Sequence, residues 1–328
     1  MSLIETFKLK AHTVNHLAGL TMTEQFCTAK LHEFEQFVLQ KRDSMLAFCV
    51  LHLAFSVVAT LGNLLVIRAL FNASSIPATV KKLFLSLAFS DLAVGLFPQL
   101  MSGVISAVVL KMASSKENTF TSFCPTVLTV YYYLLFLLGA ASFLTVTAIA
   151  IDRLLAVSLH LRYQELVTSK RVITILVFLW LTSCITAFIY VFLPKGSETV
   201  SGVISFAGHI LTTVAYVRVY KIAKSHQNQI NSQNQLQIAE TVEVIRQKKS
   251  AYNTLFFHAV YLACYLPYLA SAILYLVNSS NISFFVPKWA SIFLLFLNSS
   301  LNPYVYCWRY REIREIVKST IKKLFRKK

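Results

Sequence analysis

Charge is scarce in this chain. Only 14% of its 328 residues are charged, 56% are hydrophobic, and mean hydropathy is +0.61. A soluble protein of this length carries more charge than that, so the composition excludes an ordinary water-soluble domain. Acids are scarcer than bases, 14 against 31, which leaves a net charge of +17. That excess does not indicate nucleic-acid binding, because the basic residues lie between long apolar stretches. No internal repeat is visible, which argues against a secondary transporter built from inverted halves. No HExxH string and no second membrane aspartate accompany His258 or Asp91, so the pairs a membrane hydrolase needs are missing. Residues 1–40 contain no 7–15-residue apolar core with a small-residue cleavage site, so the first span is expected to serve as the insertion signal.

What is present is apolar length. Stretches of about 20 apolar residues cross a bilayer as helices. Seven are expected, at Met45–Phe71, Val80–Leu110, Cys124–Val157, Ser169–Leu193, Thr199–Lys224, Lys248–Asn278 and Phe285–Cys307. The fold expected is all-α: a seven-transmembrane helix bundle with a short amphipathic cytoplasmic helix after the seventh span. With the N-terminus outside, about 22 of the 31 basic residues fall on the inner side, as the positive-inside rule asks. Lys41 and Arg42, just outside the first span, argue the other way. The chain divides into an extracellular segment at 1–44, a seven-helix bundle at 45–308 and a basic amphipathic helix and tail at 309–328. Loops are short, as antiparallel neighbours require. The Gln- and Asn-rich Ser225–Gln247 connection is the longest and reads as a solvated linker. Within Leu31–Gln40, Leu31, Phe34, Phe37 and Val38 recur at helical spacing, which predicts a short surface helix. In the tail, Ile313, Ile316, Val317, Ile321 and Leu324 alternate with Arg311, Arg314, Lys318, Lys322 and Lys323. This basic amphipathic helix suits an anionic inner leaflet, which makes membrane lipids an expected partner. A solvated basic tail is the plainer alternative.

Four polar features stand inside the spans. Gly62-Asn63 lies in the first, Asp91 in the second, Asp152-Arg153-Leu154 at the inner end of the third, and Asn302-Pro303-Tyr304-Val305-Tyr306 in the seventh. An acid at membrane depth is costly without partners. Ser142, Asn298, Ser299 and Asn302 are the obvious ones, through hydrogen bonds, waters or a bound cation. The alternative is a neutral, structural Asp91. Pro267 and Pro303 are expected to kink spans six and seven. Cys49, Cys184 and Cys264 read as buried small hydrophobes. Cys27 and Cys124 would both be extracellular, where a bridge between them could persist.

In this order, on these spans, the motifs resemble those of class A, rhodopsin-like G-protein-coupled receptors over about Met45–Phe325. The resemblance implies that Asp152 and Arg153 are the acid and arginine of the DRY motif and Asp91 the sodium-pocket aspartate. Tyr216, Tyr261, Cys264, Tyr265, Pro267, Asn302, Pro303 and Tyr306 become the coupling and switch residues, and Trp180 the fourth-helix tryptophan. It implies an allosteric sodium ion at Asp91, Ser142, Asn298 and Asn302, and no other cofactor. It also implies a non-enzymatic receptor in the plasma membrane, N-terminus outside. Its partner is a heterotrimeric G protein, admitted when the sixth helix swings outward. Several positions depart from the family pattern. Leu154 replaces the tyrosine of DRY, Tyr265 the tryptophan of CWxP, and Gly208 the fifth-helix proline. Gln247 stands where some members have an acid, and these losses predict raised basal activity. Leu128 stands where most members have a third-helix cysteine. That absence, with a short second outer loop, resembles the melanocortin, lysophospholipid, cannabinoid and adenosine receptor group.

The resemblance puts the ligand between helices three, five, six and seven. Leu135 replaces the aspartate of amine receptors and Phe296 the lysine of opsins. Met101, Leu128 and Tyr132 replace the acidic contacts of melanocortin receptors. The expected lining is therefore Leu135, Phe136, Gly139, Tyr268, Phe293 and Phe296, which suits a lipid or hydrophobic small molecule. A peptide held by the outer loops is a second option. Asn278 and Asn281 open glycosylation sequons in the third outer loop. A receptor-fold protein that modulates a partner without binding ligand is the remaining alternative.

Overall fold

The computed structural model describes residue 34 and residues 37–115, 120–159, 162–193, 197–232, 258–271, 273–274 and 285–326. Among these residues the regular structure is helical throughout. Helix one is Arg42–Asn72. Helix two runs through Ala78–Val94, a π turn at Gly95–Gln99, and Leu100–Ser115. Helix three is Phe120–Leu159, followed by the single turn Tyr163–Leu166. Helix four is Ser169–Phe192 and helix five Ser197–Ser232. Helix six is described over 258–271, helix seven is Phe285–Arg309, and helix eight is Arg311–Arg326. Four described helices have both the length and the apolarity to cross a membrane: Arg42–Asn72, Ala78–Ala113, Thr126–Leu159 and Ser169–Phe192. Helices five and seven, of 36 and 25 residues, are long enough but more polar. Helix five ends in the amide-rich sequence at 227–232, and helix seven carries Asn298, Ser299, Ser300 and Asn302.

Helix three packs against helices two, four and five, and helix one packs against two and seven. Large apolar side chains such as Val57, Leu64, Phe178, Ile185 and Ile210 face outward and are exposed. Asn63, Asp91, Thr145 and Asn302 are buried. Apolar outside and polar at the helix contacts is the arrangement a lipid solvent asks for, because hydrogen bonds between helices then have no water to compete with.

Proline 98 marks the π turn. Proline removes a backbone donor and its ring collides with the carbonyl one turn earlier, and a π turn relieves that collision. Pro267 and Pro303, where the sequence predicts kinks, lie inside helical runs that continue on both sides of them. At the π turn the chains come close. A Cβ on Gly95 would lie 2.8–2.9 Å from Thr60 and Ala59 of helix one. The Gly95 carbonyl accepts a 3.0 Å hydrogen bond from Ser56 Oγ.

The expected surface helix before the first span is a correction. Residues 37–40 are helical, but Phe34, Phe37 and Val38 are buried rather than laid on a surface. Phe34 and Phe37 pack on Trp289 of helix seven, with ring centroids 4.5 and 5.7 Å away. Aromatic area buried in this way outweighs the exposure a surface helix would leave. Helix eight divides its predicted apolar stripe. Ile313 is fully buried and Ile316 and Val317 join the core beneath helices one and two, while Leu324 and Phe325 are exposed.

Candidate functional site

Asp91 is completely buried and holds three side-chain donors. Ser142 Oγ and Ser299 Oγ donate to Oδ1 at 3.3 and 2.8 Å, and Asn302 Nδ2 donates to Oδ2 at 2.6 Å. The carboxylate therefore ties helix two to helices three and seven. Two flanking contacts extend the tie. Asn63 Nδ2 donates to the carbonyls of Ala59 and Ser299, both at 2.9 Å. Trp180 Nε1 donates to Ser86 Oγ at 3.1 Å, and Ser86 lies 3.3 Å from Thr145 Oγ1. Asn298, expected at the carboxylate, makes no described hydrogen bond to it. It lines a neighbouring cavity, and Ser299 is the donor in contact.

That cavity is bordered by Asn298, Asn302 and Tyr306 of helix seven, Tyr261 of helix six, Tyr216 of helix five and Arg309. The expected switch residues Tyr216, Tyr261, Asn302 and Tyr306 are thus brought together although they come from three helices. Gly62 packs directly on Pro303, where an added Cβ would sit 2.9 Å from the ring. At the inner end of helix three, Asp152 and Arg153 are ion-paired, with Nε 3.0 Å from Oδ2. The other carboxylate oxygen accepts a 2.6 Å hydrogen bond from Tyr163 Oη in the loop turn. Tyr163 was not evident as a partner from sequence. Its phenol is pushed up to about 12, by burial first and then by donating to Asp152.

Tyr265, in place of the usual tryptophan, is fully engaged. Its hydroxyl contacts Ser205, and its ring stacks on His209 at 3.9 Å. His209 in turn stacks on Phe143 at 4.4 Å, and its Nδ1 lies 2.6 Å from the Ser205 carbonyl. Gly208 is explained by the same stack, because a Cβ there would meet the Phe143 ring at 2.6–2.8 Å. Cys264 is buried and free, and Pro267 is part-buried in the same helix.

The six expected pocket residues fall into two groups. Phe136 stacks on Tyr190 of helix four, and Tyr268 meets Tyr265 edge-on at 5.9 Å. Gly139 is exposed, with open space where a side chain would be. Phe293 and Phe296 instead turn toward helix one and meet His52 edge-on at 5.4 and 5.2 Å. Leu135 lies between, packing with Trp289 on one side and Phe296 on the other. Cys27, Gln247, Asn278 and Asn281 lie outside the described residues, as does the side chain of Cys124.

A multi-pass helical membrane protein with a buried acid at the crossing of three helices and an acid–arginine pair at one mouth is a signalling receptor in outline. Relatives agree with this outline. Residues 62–202 match the family described as 7 transmembrane receptor (rhodopsin family). The histamine H2 receptor of Rattus norvegicus is 26% identical over 276 residues, 77% of this chain and 73% of that protein. The melanocortin receptor 3 of Homo sapiens is 22% identical over 270 residues, 80% of this chain and 81% of that one. Human melanocortin receptor 5 is 22% identical over 277 residues, covering 82% of each. These matches make the chain similar to the class A, rhodopsin-like G-protein-coupled receptors, and they support a seven-helix, multi-pass membrane receptor rather than an enzyme.

Proposed function

We propose that this receptor, at the plasma membrane with its N-terminus outside, answers an apolar extracellular ligand by releasing Arg153 and moving helix six outward. The observation that supports this is the cavity bordered by Tyr216, Tyr261, Asn302 and Tyr306. Tyrosines from helices five, six and seven meet across one small space there, while Arg153 is paired with Asp152. A ligand that prefers the outward state shifts the population by its difference in affinity for the two states. A monovalent cation at Asp91 would oppose the shift. The oxygens of Asp91, Ser142 and Ser299 are hard donors that suit such an ion, and among the described residues no group of three or more His, Cys, Asp or Glu competes for a transition metal. A peptide ligand is the alternative to a lipid or hydrophobic small molecule. The histamine receptors among the relatives do not carry their amine across, because Leu135 stands where amine receptors place an acid.

The test is GTP turnover on a panel of Gα subtypes, for wild type and Arg153→Ala at equal surface expression. A signal lost in Arg153→Ala supports the proposal; a signal that survives the substitution sinks it. The losses at Tyr265, Gly208 and Gln247 add raised basal activity to the proposal, and a basal signal equal to that of cells without receptor would reject that part.

A further inference from the structure

Among the described residues, several buried side chains have one polar atom without a hydrogen-bond partner, but only His52 of helix one and Gln99 of helix two have two. His52 is 1% exposed and neither ring nitrogen has a hydrogen-bond partner. Gln99 is 0% exposed and neither its amide nitrogen nor its oxygen has one. An unmatched buried polar group costs about 1–3 kcal/mol, so four such atoms at one place call for an explanation.

The two side chains belong to one place. Cys49 Sγ contacts the Gly103 carbonyl at 3.4 Å, and Ser56 Oγ donates to the Gly95 carbonyl at 3.0 Å. These contacts fix the antiparallel register of helix one against helix two. His52 lies between Cys49 and Ser56, and Gln99 lies between Gly95 and Gly103, so the register sets them opposite one another. Helix seven supplies the third wall. Trp289, Phe293 and Phe296 recur at i, i+4 and i+7 on one face. The two phenylalanines meet His52 edge-on. Trp289 is 3% exposed, and its indole N–H also lacks a partner. Phe34 and Phe37 cover Trp289 from the N-terminal side.

We propose that the level of His52 and Gln99, between helices one, two and seven, is a binding subsite for the head group of an uncharged amphiphile, such as a long-chain primary amide. The chemistry selects that class. A neutral imidazole and a carboxamide each donate and accept, so they match a head that does both. Among the described residues, Asp91 and Asp152 are the buried acids and no Lys or Arg is buried, and the Asp91 oxygens are already taken by Ser142, Ser299 and Asn302. A charged head buried there would have no counter-charge and would be strongly disfavoured. The aromatic face of helix seven receives the apolar chain. The subsite rests on the receptor reading and refines it, by moving the ligand's polar end toward helices one and two.

Thermal unfolding of the full-length receptor in nanodiscs tests this, with three probes that share one chain: oleamide, oleate and oleylamine. The variants are His52→Phe, Gln99→Leu and the double substitution. Expected are a melting temperature raised by oleamide alone and an oleamide affinity about tenfold weaker in each single variant. The double variant should also melt higher than wild type without probe, because it removes unmatched polar atoms. An oleamide shift that is absent, or unchanged in the variants, overturns the subsite. Variants that melt lower without probe also overturn it, since the polar groups would then be satisfied inside the fold by ordered water. Oleamide-driven GTP turnover, read in parallel with Arg153→Ala, separates the two readings. Binding without turnover leaves the subsite and counts against the receptor proposal. Turnover driven by a different ligand, with no oleamide shift, leaves the receptor and removes the subsite.

Discussion

Asp91 and the His52–Gln99 level are both buried polar sites in the same half of the bundle, and they are opposites in hydrogen bonding. Asp91 receives three donors from two other helices. His52 and Gln99 receive none. The first arrangement holds helices two, three and seven in one register. The second contributes ring packing on Phe293 and Phe296 but no hydrogen bond to hold the helices, which is why we assign it to a ligand. Matched polar groups in a membrane bundle are structural, or switch positions whose partners change. Unmatched ones at full burial belong to a ligand or to water.

The largest effect should come from removing the matched acid. Asp91→Leu strands three neutral donors, on Ser142, Ser299 and Asn302, at about 1–3 kcal/mol each, read as a lower melting temperature and poor surface expression. Asp91→Asn should keep the fold and abolish any sodium dependence of the melt, which would sharpen the assignment of a cation to this site. Next is Gly208→Ala. The new Cβ would press on Phe143 at 2.6–2.8 Å, and overpacking of this kind costs roughly 1–3 kcal/mol. A melt equal to wild type would show that the Phe143–His209–Tyr265 stack is loose.

Replacing the unmatched groups should act in the other direction. The gain expected from His52→Phe or Gln99→Leu without ligand is about 1 kcal/mol each, and a loss instead would erase the contrast with Asp91. Smaller again is Tyr163→Phe, which removes one hydrogen bond from Asp152 and should cost about 1 kcal/mol at most. Its expected signature is a modest rise in basal GTP turnover, because the Asp152–Arg153 pair loses a restraint. With the Tyr163 hydroxyl held up to about 12, its contribution is complete below about 10 and is lost only as pH rises through 12.

The weakest effect should be at Glu312 of helix eight. Its carboxyl is pulled down to about 2 by the Ser75 hydroxyl and then the Ser74 and Ser75 backbone. Ser74 N donates to it at 2.7 Å and Ser75 N at 3.1 Å. Since the folded value lies below the ordinary 4.5, the contribution is present above about 4.5 and fades as pH falls toward 2. Hydrogen exchange in helix eight should rise over that window in wild type and be raised already at neutral pH in Glu312→Gln.

Much of this was legible along the chain. The spans follow from apolar length, and Asp91, Arg153 and Asn302 stand out because polar groups at membrane depth need a reason. Less was legible wherever two equivalent neighbours competed. Asn298 and Ser299 are adjacent, and only the rotation of helix seven decides that Ser299 faces Asp91. Phe34 and Phe37 have the spacing of a surface helix, and only the nearby Trp289 ring makes them core. Pro98 looked like any other proline until its ring met the turn before it, whereas Pro303 is accommodated by Gly62.

By itself, then, the sequence determined a helical membrane receptor, its spans and the ionisable residues on which a switch can be built, because each is a property of local composition and order. Tertiary structure alone decided which hydroxyl meets which carboxylate, that the aromatic residues of helix seven turn toward helix one, and that His52 and Gln99 share a level without partners. Those facts depend on the rotation and register of helices whose contacting residues, such as Asn63 and Ser299, lie 236 positions apart. No local pattern encodes such an alignment; it is set by packing all the helices at once.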